Sequence, residues 1–99
     1  MTKAEKELHA LDAIFTALAH PSRRQILLVL KLHGGTMTAG QIAERFSCKW
    51  PTTTRHLRAL LDAELISVRK EGRERLYELN KTNLTGTVGE WLRWFKSDE

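Results

Sequence analysis

The chain has 99 residues, of which 41% are hydrophobic and 28% are charged, and its formal net charge is +4. This balance is typical of one small globular domain and argues against a multidomain enzyme or a disordered chain. An apolar run no longer than Ile26–Leu30, a polar N-terminus and a single cysteine predict a cytoplasmic protein with neither membrane insertion nor an internal disulfide.

The positive charge is concentrated in the middle of the chain. Residues 13–61 alone carry +6, because seven lysines and arginines there are accompanied by a single acid, Glu44. The segments before and after this stretch each sum to −1. A basic middle between near-neutral ends favours a surface that faces a polyanion. A solvated basic face without a partner is the alternative at this point.

Two helices are predicted in the first third of the chain. Apolar residues recur at intervals of three and four over residues 3–19, which indicates one face of a first helix. His20 ends this helix, because the residue before a proline disfavours the α conformation. Pro21 suits the first turn of a second helix, which is predicted to run through Leu32 before Gly34 and the glycine after it.

A helix-turn-helix is predicted over residues 38–64. Thr38, followed three residues later by Gln41, has the spacing of a capping box and marks the start of a third helix. After a short break at residues 47–50, Pro51 is predicted to begin a fourth helix. Two short helices joined by a tight turn have the dimensions of this motif.

A β-hairpin and a last helix complete the predicted fold. Residues 65–70 and 75–79 alternate around a turn at Gly72, which indicates a hairpin over 65–80, here called the wing. Apolar residues at helical spacing then predict a helix over 83–96. The predicted order is α-α-α-α-β-β-α in a single domain, residues 1–99: a mainly α, winged helix-turn-helix fold.

The fourth helix has a divided surface at about 100° per residue. Leucines and Thr53 lie on one side, and hydroxyls, basic residues and an alanine lie on the other, as a helix that enters the major groove requires. Arg55 can pair with guanine O6 and N7. The residues predicted to contact DNA from this helix and the turn before it are Lys49, Trp50, Thr52, Thr54, Arg55, His56 and Arg58. A solvated amphipathic helix is the alternative.

The wing repeats the basic character of the fourth helix. Arg73 and Arg75 lie in or beside its turn and are predicted to reach the minor groove or the phosphates. Glu71 and Glu74 interrupt this basic cluster. A hairpin whose charges merely pair with one another is therefore the alternative.

Three segments resemble the ArsR family of bacterial winged-helix repressors: ALAHPSRRQIL, MTAGQIAERFSCKWPTTTRHLRALLDAELI and RKEGRERLYELN. The resemblance covers roughly residues 14–94. It is particularly similar to a small autorepressor subgroup whose members control an operon that includes a membrane-bound antirepressor. The resemblance implies a homodimeric, autoregulatory repressor of double-stranded DNA, with one recognition helix per subunit in successive major grooves of a pseudo-palindromic operator, and a protein antirepressor as partner.

The helices at the two ends of the chain are predicted to form the dimer interface. The first (1–19) has an apolar stripe, and the last (83–96) has three aromatic residues within five positions. Together they present more apolar surface than one small core readily hides. The residues predicted at this interface are Leu8, Leu11, Phe15, Val88, Trp91, Leu92 and Phe95. The alternative is that these side chains cap the monomer core.

We predict no metal site, no cofactor and no enzymatic activity. Metal-sensing relatives use paired thiolates, whereas Cys48 is the only thiol here, and a closed soft-metal site needs about four ligands. His9 and Asp12 are interpreted as surface residues. No phosphate loop, HExxH motif or plausible Ser/His/Asp set is present.

Two other functions remain open from the sequence. One is a metal-responsive or thiol-responsive sensor, because Cys48 could be a reactive thiol at a helix N-terminus rather than the small core residue that we expect. The other is a dimeric winged-helix module whose basic face binds an acidic protein.

Overall fold

The computed structural model describes residues 1–46 and 50–96. Its helices are α1 (Lys3–Leu18), α2 (Pro21–Leu32), α3 (Ala39–Glu44), α4 (Trp50–Asp62), α5 (Lys81–Leu92) and a final 3₁₀ turn (Arg93–Phe95), and its strands are β1 (Thr36–Thr38), β2 (Ile66–Glu71) and β3 (Glu74–Leu79). The predicted winged helix-turn-helix fold is confirmed. Within the described residues, no helix is both long and apolar enough to cross a bilayer.

Local capping fixes where α2 and α3 begin. His20 Nδ1 accepts the Ser22 N–H at 3.3 Å, directly before Pro21. Thr38 Oγ1 accepts the Gln41 N–H at 3.1 Å, while the Gln41 side chain accepts the Thr38 N–H at 2.9 Å. The predicted capping box is therefore confirmed, and it satisfies backbone donors that a helix start otherwise leaves free.

The sheet contains one strand more than the sequence predicts. β1 pairs with β3, which also pairs with β2, so the antiparallel order is β1-β3-β2. Met37, the middle residue of β1, lies opposite Tyr77 and is almost fully buried. Three residues are too few to show an alternating pattern, and their partner lies about forty positions away in the chain. Because Thr38 ends β1 and caps α3, the strand ties α3 directly to the wing.

Every element contributes buried residues to the core except α5 and the final 3₁₀ turn. Ile14, Leu30, Ile42, Leu60 and Leu65 are completely buried and come from α1, α2, α3, α4 and the start of the wing. No residue of α5 is buried, although two of its apolar side chains pack against the core.

The last helix also differs from its predicted bounds. It begins earlier than expected, at Lys81, because Asn80 Oδ1 accepts the Asn83 N–H at 3.3 Å and caps it. It ends at Leu92 and continues as the 3₁₀ turn, so the predicted helix over 83–96 is not one regular α-helix.

Candidate nucleic-acid interface

One side of α4 anchors the helix and the other side faces solvent. Thr53, Leu57 and Leu60 are at most 2% exposed, and they pack α4 into the core as predicted. Arg55 and Arg58 are exposed on the outer side. Burial of one face therefore fixes the helix so that its basic donors point away from the protein.

The other residues predicted to contact DNA from α4 and the preceding turn differ in their exposure. Thr54 is exposed and Thr52 is half-buried, so both hydroxyls lie at or near the surface. Lys49 and Cys48 lie outside the described residues, as does the side chain of Trp50. Within the described part of the chain, neither Arg55 nor Arg58 forms a salt bridge.

The prediction that His56 contacts DNA is wrong. His56 is only 5% exposed, and its side chain packs against the start of α2. His56 Nδ1 accepts the Arg23 Nε–H at 3.3 Å, and its ring centroid lies 4.3 Å from that of His20. A turn of 100° per residue places position 56 at the edge of the inner face, and sequence alone does not show that Arg23 supplies a buried partner there.

The surroundings of His56 favour its neutral form. Burial, followed by the neighbouring His20, Arg23 and Arg55, lowers its pKa below the ordinary value of 6.5. A neutral imidazole can accept the Arg23 hydrogen bond at Nδ1, whereas a protonated ring has no free lone pair there. Buried His56 is therefore an acceptor that links α2 to α4.

The wing separates its charges between its two sides. Arg69 lies 3.3 Å from Glu78 and 3.5 Å from Glu71, so this arginine is paired with acids of the wing itself. Lys70 lies directly opposite Arg75, on the side of the hairpin that includes Tyr77. Like charges opposite each other destabilise a hairpin, and this pair can be relieved by an anion such as a phosphate.

The turn of the wing presents one more basic residue, Arg73. Gly72 has a φ of +64°, a conformation that glycine adopts without strain, and exposed Arg73 follows it. Lys70 is absent from the predicted DNA contacts. A hairpin with a two-residue turn at residues 72 and 73 places Lys70 opposite Arg75, so the sequence contains a signal for this pair.

The outer faces of α1 and α5 form a shared apolar surface, here called the α1–α5 surface. The Phe15 and Trp91 rings meet edge to face at 5.3 Å, and Trp91 meets Phe95 at 5.0 Å. Leu8 is 59% exposed and Trp94 is 84% exposed. A groove of about 900 Å³ runs between the two helices.

The predicted interface residues do not all lie on this surface in the same way. Leu92, like Phe95, is exposed, and Val88 is half-buried against the core. Leu11 is only 6% exposed within the subunit. Packing within the subunit therefore covers most of the Leu11 side chain, although Leu11 also lines the groove between α1 and α5, and its place in a dimer interface stays a prediction.

The described residues show no group of three or more metal-ligating side chains. His9 and Asp12 are exposed and line a shallow depression together with Asp62 of α4 and Arg23 of α2. His20 caps the start of α2 through its side chain, and His33 is the residue that follows the last turn of α2.

Comparison with known proteins decides the family. A family model described as a helix-turn-helix domain matches residues 18–69. The transcriptional repressor SdpR of Bacillus subtilis (strain 168) is 42% identical over 82 residues, which cover 83% of this chain and 88% of the relative. The crystal structure of an ArsR family transcriptional regulator is 34% identical, with a TM-score of 0.74 and coverage of 86% of this chain and 84% of that chain. The chain belongs to the ArsR family.

Membership in this family assigns the general class of activity. This ArsR-family protein is a DNA-binding transcriptional regulator and not an enzyme, as the sequence predicts. A more distant structure, the homodimeric DNA-binding domain of a possible ArsR-family regulator from Mycobacterium bovis, is 22% identical with a TM-score of 0.74. It covers 100% of this chain and 91% of its own, and it supports the fold.

Proposed function

We propose that this ArsR-family protein is a transcriptional repressor that binds a pseudo-palindromic operator as a homodimer. The observation that carries the proposal is the division of α4, whose inner face is buried while Thr54, Arg55 and Arg58 are exposed. Such a helix can approach the major groove without rearrangement, and its arginines can donate to base edges and phosphates. The 42% identity to a transcriptional repressor supports repression as the regulatory outcome.

The wing supplies a second contact in this proposal. Arg73 and Arg75 are exposed at and beside its tip, and Lys70 lies opposite Arg75 without an acid between them. Phosphate contacts of this kind fix the register of a protein on the duplex without reading its sequence. We therefore assign base reading to α4 and backbone affinity to the wing.

The α1–α5 surface supports a homodimer. Leu8, Phe15, Trp91, Leu92 and Phe95 are exposed, and the Trp91 ring contacts the rings of Phe15 and Phe95. Exposed apolar patches mark protein interfaces in soluble domains. A two-fold dimer repeats α4 and therefore matches half-sites about one helical turn apart. The homodimeric state of the M. bovis neighbour is consistent with this assembly.

The proposed repressor is autoregulatory and does not respond to metals or thiol oxidation. A single cysteine cannot supply the paired thiolates of a soft-metal site, and α5 contains only one acid, Glu90, and no histidine. Release is then expected from a protein antirepressor. The resemblance to an autorepressor subgroup supports this assignment.

A mobility-shift assay on the DNA upstream of the protein's own gene tests the proposal. We expect a discrete complex that survives excess nonspecific DNA and is unaffected by zinc, by a chelator or by a mild oxidant. A double variant, Arg55→Ala with Arg58→Ala, should lose the complex, whereas Lys96→Ala at the far end of the chain should retain it. Equal affinity for upstream and nonspecific DNA would contradict operator recognition. A tenfold change in operator affinity caused by zinc or oxidant would contradict the proposal that the repressor does not respond to metals or thiol oxidation.

A further inference from the structure

A cluster of nitrogen-bearing side chains joins the start of α2 to the inner edge of α4. Arg23 of α2 donates from Nε to Nδ1 of buried His56 at 3.3 Å. The His20 ring lies beside the His56 ring, with centroids 4.3 Å apart and planes inclined by 57°. His20 Nδ1 in turn accepts the Ser22 N–H at 3.3 Å and caps α2. Two imidazoles therefore act as hydrogen-bond acceptors at one helix junction.

The hydrogen bond from Arg23 requires His56 Nδ1 to be unprotonated. An imidazolium has an N–H at each ring nitrogen, so protonation of His56 turns its Nδ1–H toward the Arg23 N–H. The added charge would also be buried, and burial of a charge without a counter-ion is strongly unfavourable. The junction therefore holds together only while His56 is neutral.

The charged groups around this junction do not compensate a proton on His56. From α2 and the residue before it, Arg23 and His20 face the ring, and Arg55 is its neighbour on α4. The lowered pKa of His56 has these same causes after burial. Two acids, Asp12 of α1 and Asp62 of α4, lie with His9 and Arg23 in the adjacent depression. Among the described residues, none of these acids forms an ion pair with Arg23 or His56.

We infer that Arg23 and His56 are positioning residues for the recognition helix, and that specific operator binding is lost when His56 takes up a proton. His56 lies next to Arg55 in the chain, so a shift of the inner edge of α4 moves the arginine proposed to read bases. Protonation would stabilise the displaced arrangement of α4 and thus change the populations of two states with different operator affinity. The inference rests on the proposed function of α4.

The expected sign distinguishes this device from ordinary charge effects. Acidification adds positive charge to histidines, and added positive charge strengthens nonspecific attraction to phosphates. Displacement of α4 instead weakens contacts with base edges. Operator affinity should therefore fall on acidification while affinity for nonspecific DNA stays constant or rises.

Fluorescence anisotropy at constant ionic strength provides the test, with the operator duplex and a scrambled duplex at pH 7.5 and pH 5.5. We expect the ratio of operator to scrambled affinity to fall about tenfold between these values, within the range typical of allosteric coupling. Circular dichroism at both values should show a folded protein. If the ratio of operator to scrambled affinity is the same at both pH values, the inference about His56 is overturned and the proposed function is unaffected. If the ratio is near one already at pH 7.5, operator recognition itself is contradicted.

The variant His56→Asn isolates the titrating group. Asn Oδ1 can accept the Arg23 N–H near the former Nδ1 position but does not take up a proton in this range. Its affinity at pH 7.5 should be lower because ring packing is lost, but its specificity ratio should not change with pH. The matched control His33→Asn, at the exposed other end of α2, should keep the wild-type pH dependence. A wild-type decline in His56→Asn would overturn the inference.

A second variant decides the outcome if His56→Asn does not fold. His20→Asn retains a good helix cap and removes the neighbour that, after burial, contributes most to lowering the pKa of His56. His56 should then take up its proton at higher pH, and the loss of specificity should begin at higher pH than in the wild type. An unchanged midpoint, or a midpoint at lower pH, would contradict the role of this cluster.

Discussion

Arg55 and Arg73 carry the same charge but occupy different parts of the fold. Arg55 extends from a helix whose opposite face is fixed in the core, whereas Arg73 follows a glycine at the tip of the wing. A guanidinium on a fixed helix can be aimed at one base edge, and a guanidinium on a turn can find any phosphate within reach. The two residues should therefore contribute differently to specificity.

Alanine variants at these two positions test that difference. Arg55→Ala should weaken operator binding by roughly 1–3 kcal/mol and reduce the preference over nonspecific DNA. Arg73→Ala should weaken both kinds of complex similarly and reduce the salt slope by about one unit. The measurement is a salt titration of affinity for operator and scrambled duplexes. The same loss of specificity in both variants would refute the division between reading and anchoring.

His56 should also make the stability of the free protein depend on pH. Its pKa is lowered in the folded state relative to 6.5, so below pH 6.5 the unfolded chain binds more protons than the folded one. The free energy of unfolding should therefore be highest above pH 6.5 and fall as the pH decreases toward the lowered pKa. Urea unfolding of the wild type and of His56→Asn between pH 7.5 and 5.5 checks this. Identical slopes in the two proteins would assign the effect to other groups.

At the scale of elements, the wing combines a like-charge pair with the proposed DNA contact. Lys70 and Arg75 lie opposite each other on one side, and Arg69 pairs with Glu71 and Glu78 on the other. Two basic side chains in this position weaken the isolated hairpin but provide two cations for a phosphate. The arrangement exchanges some stability for affinity, as binding surfaces commonly do.

Lys70→Glu separates these two effects. The new carboxylate would lie opposite Arg75 and should stabilise the protein by about 0.2–1 kcal/mol, while affinity for all DNA decreases through loss of a cation. Thermal unfolding and anisotropy measure the two quantities. Lys96→Glu makes the same change in net charge directly after the final 3₁₀ turn and should affect DNA binding less. Equal losses of affinity in both variants would indicate a net-charge effect rather than a wing contact.

Local signals in the sequence predicted most elements, and long-range contacts explain the errors. Thr38 and Gln41 are three residues apart, so their capping box could be predicted and is present. Periodicity does not predict β1, because its pairing with β3 joins distant residues. It does not predict the burial of His56 for the same reason, since the Arg23 side chain that accompanies this burial lies 33 positions earlier. Periodicity places a residue at the edge of a helix face, but it does not identify its partner.

At the scale of the whole molecule, the α1–α5 surface leaves large apolar side chains exposed in one subunit. Leu8 is 59% exposed on α1, while Phe15 contacts Trp91 across the two helices. A charge at Leu8 should therefore disturb an interface between subunits more than the fold of one subunit. Sequence periodicity alone does not separate Leu8 from Leu11, because both belong to the apolar stripe of α1. Only the folded subunit shows that Leu11 is buried and Leu8 is exposed.

Leu8→Arg should give a folded monomer that binds the operator about 100-fold more weakly or worse, because two linked recognition helices gain affinity from their connection. Sedimentation velocity and anisotropy measure assembly and binding. Leu32→Arg introduces the same charge at an exposed leucine on α2 and should remain dimeric. A Leu8→Arg protein that stays dimeric would place the interface elsewhere.

Hydroxyl-radical footprinting of the operator, combined with the stoichiometry of the complex, tests recognition by a two-fold dimer most directly. We predict two chains per duplex and two protected regions related by symmetry, with centres about 10–10.5 base pairs or a multiple of that distance apart. Saturating protein that protects a single asymmetric half-site, with one chain per duplex, would contradict it.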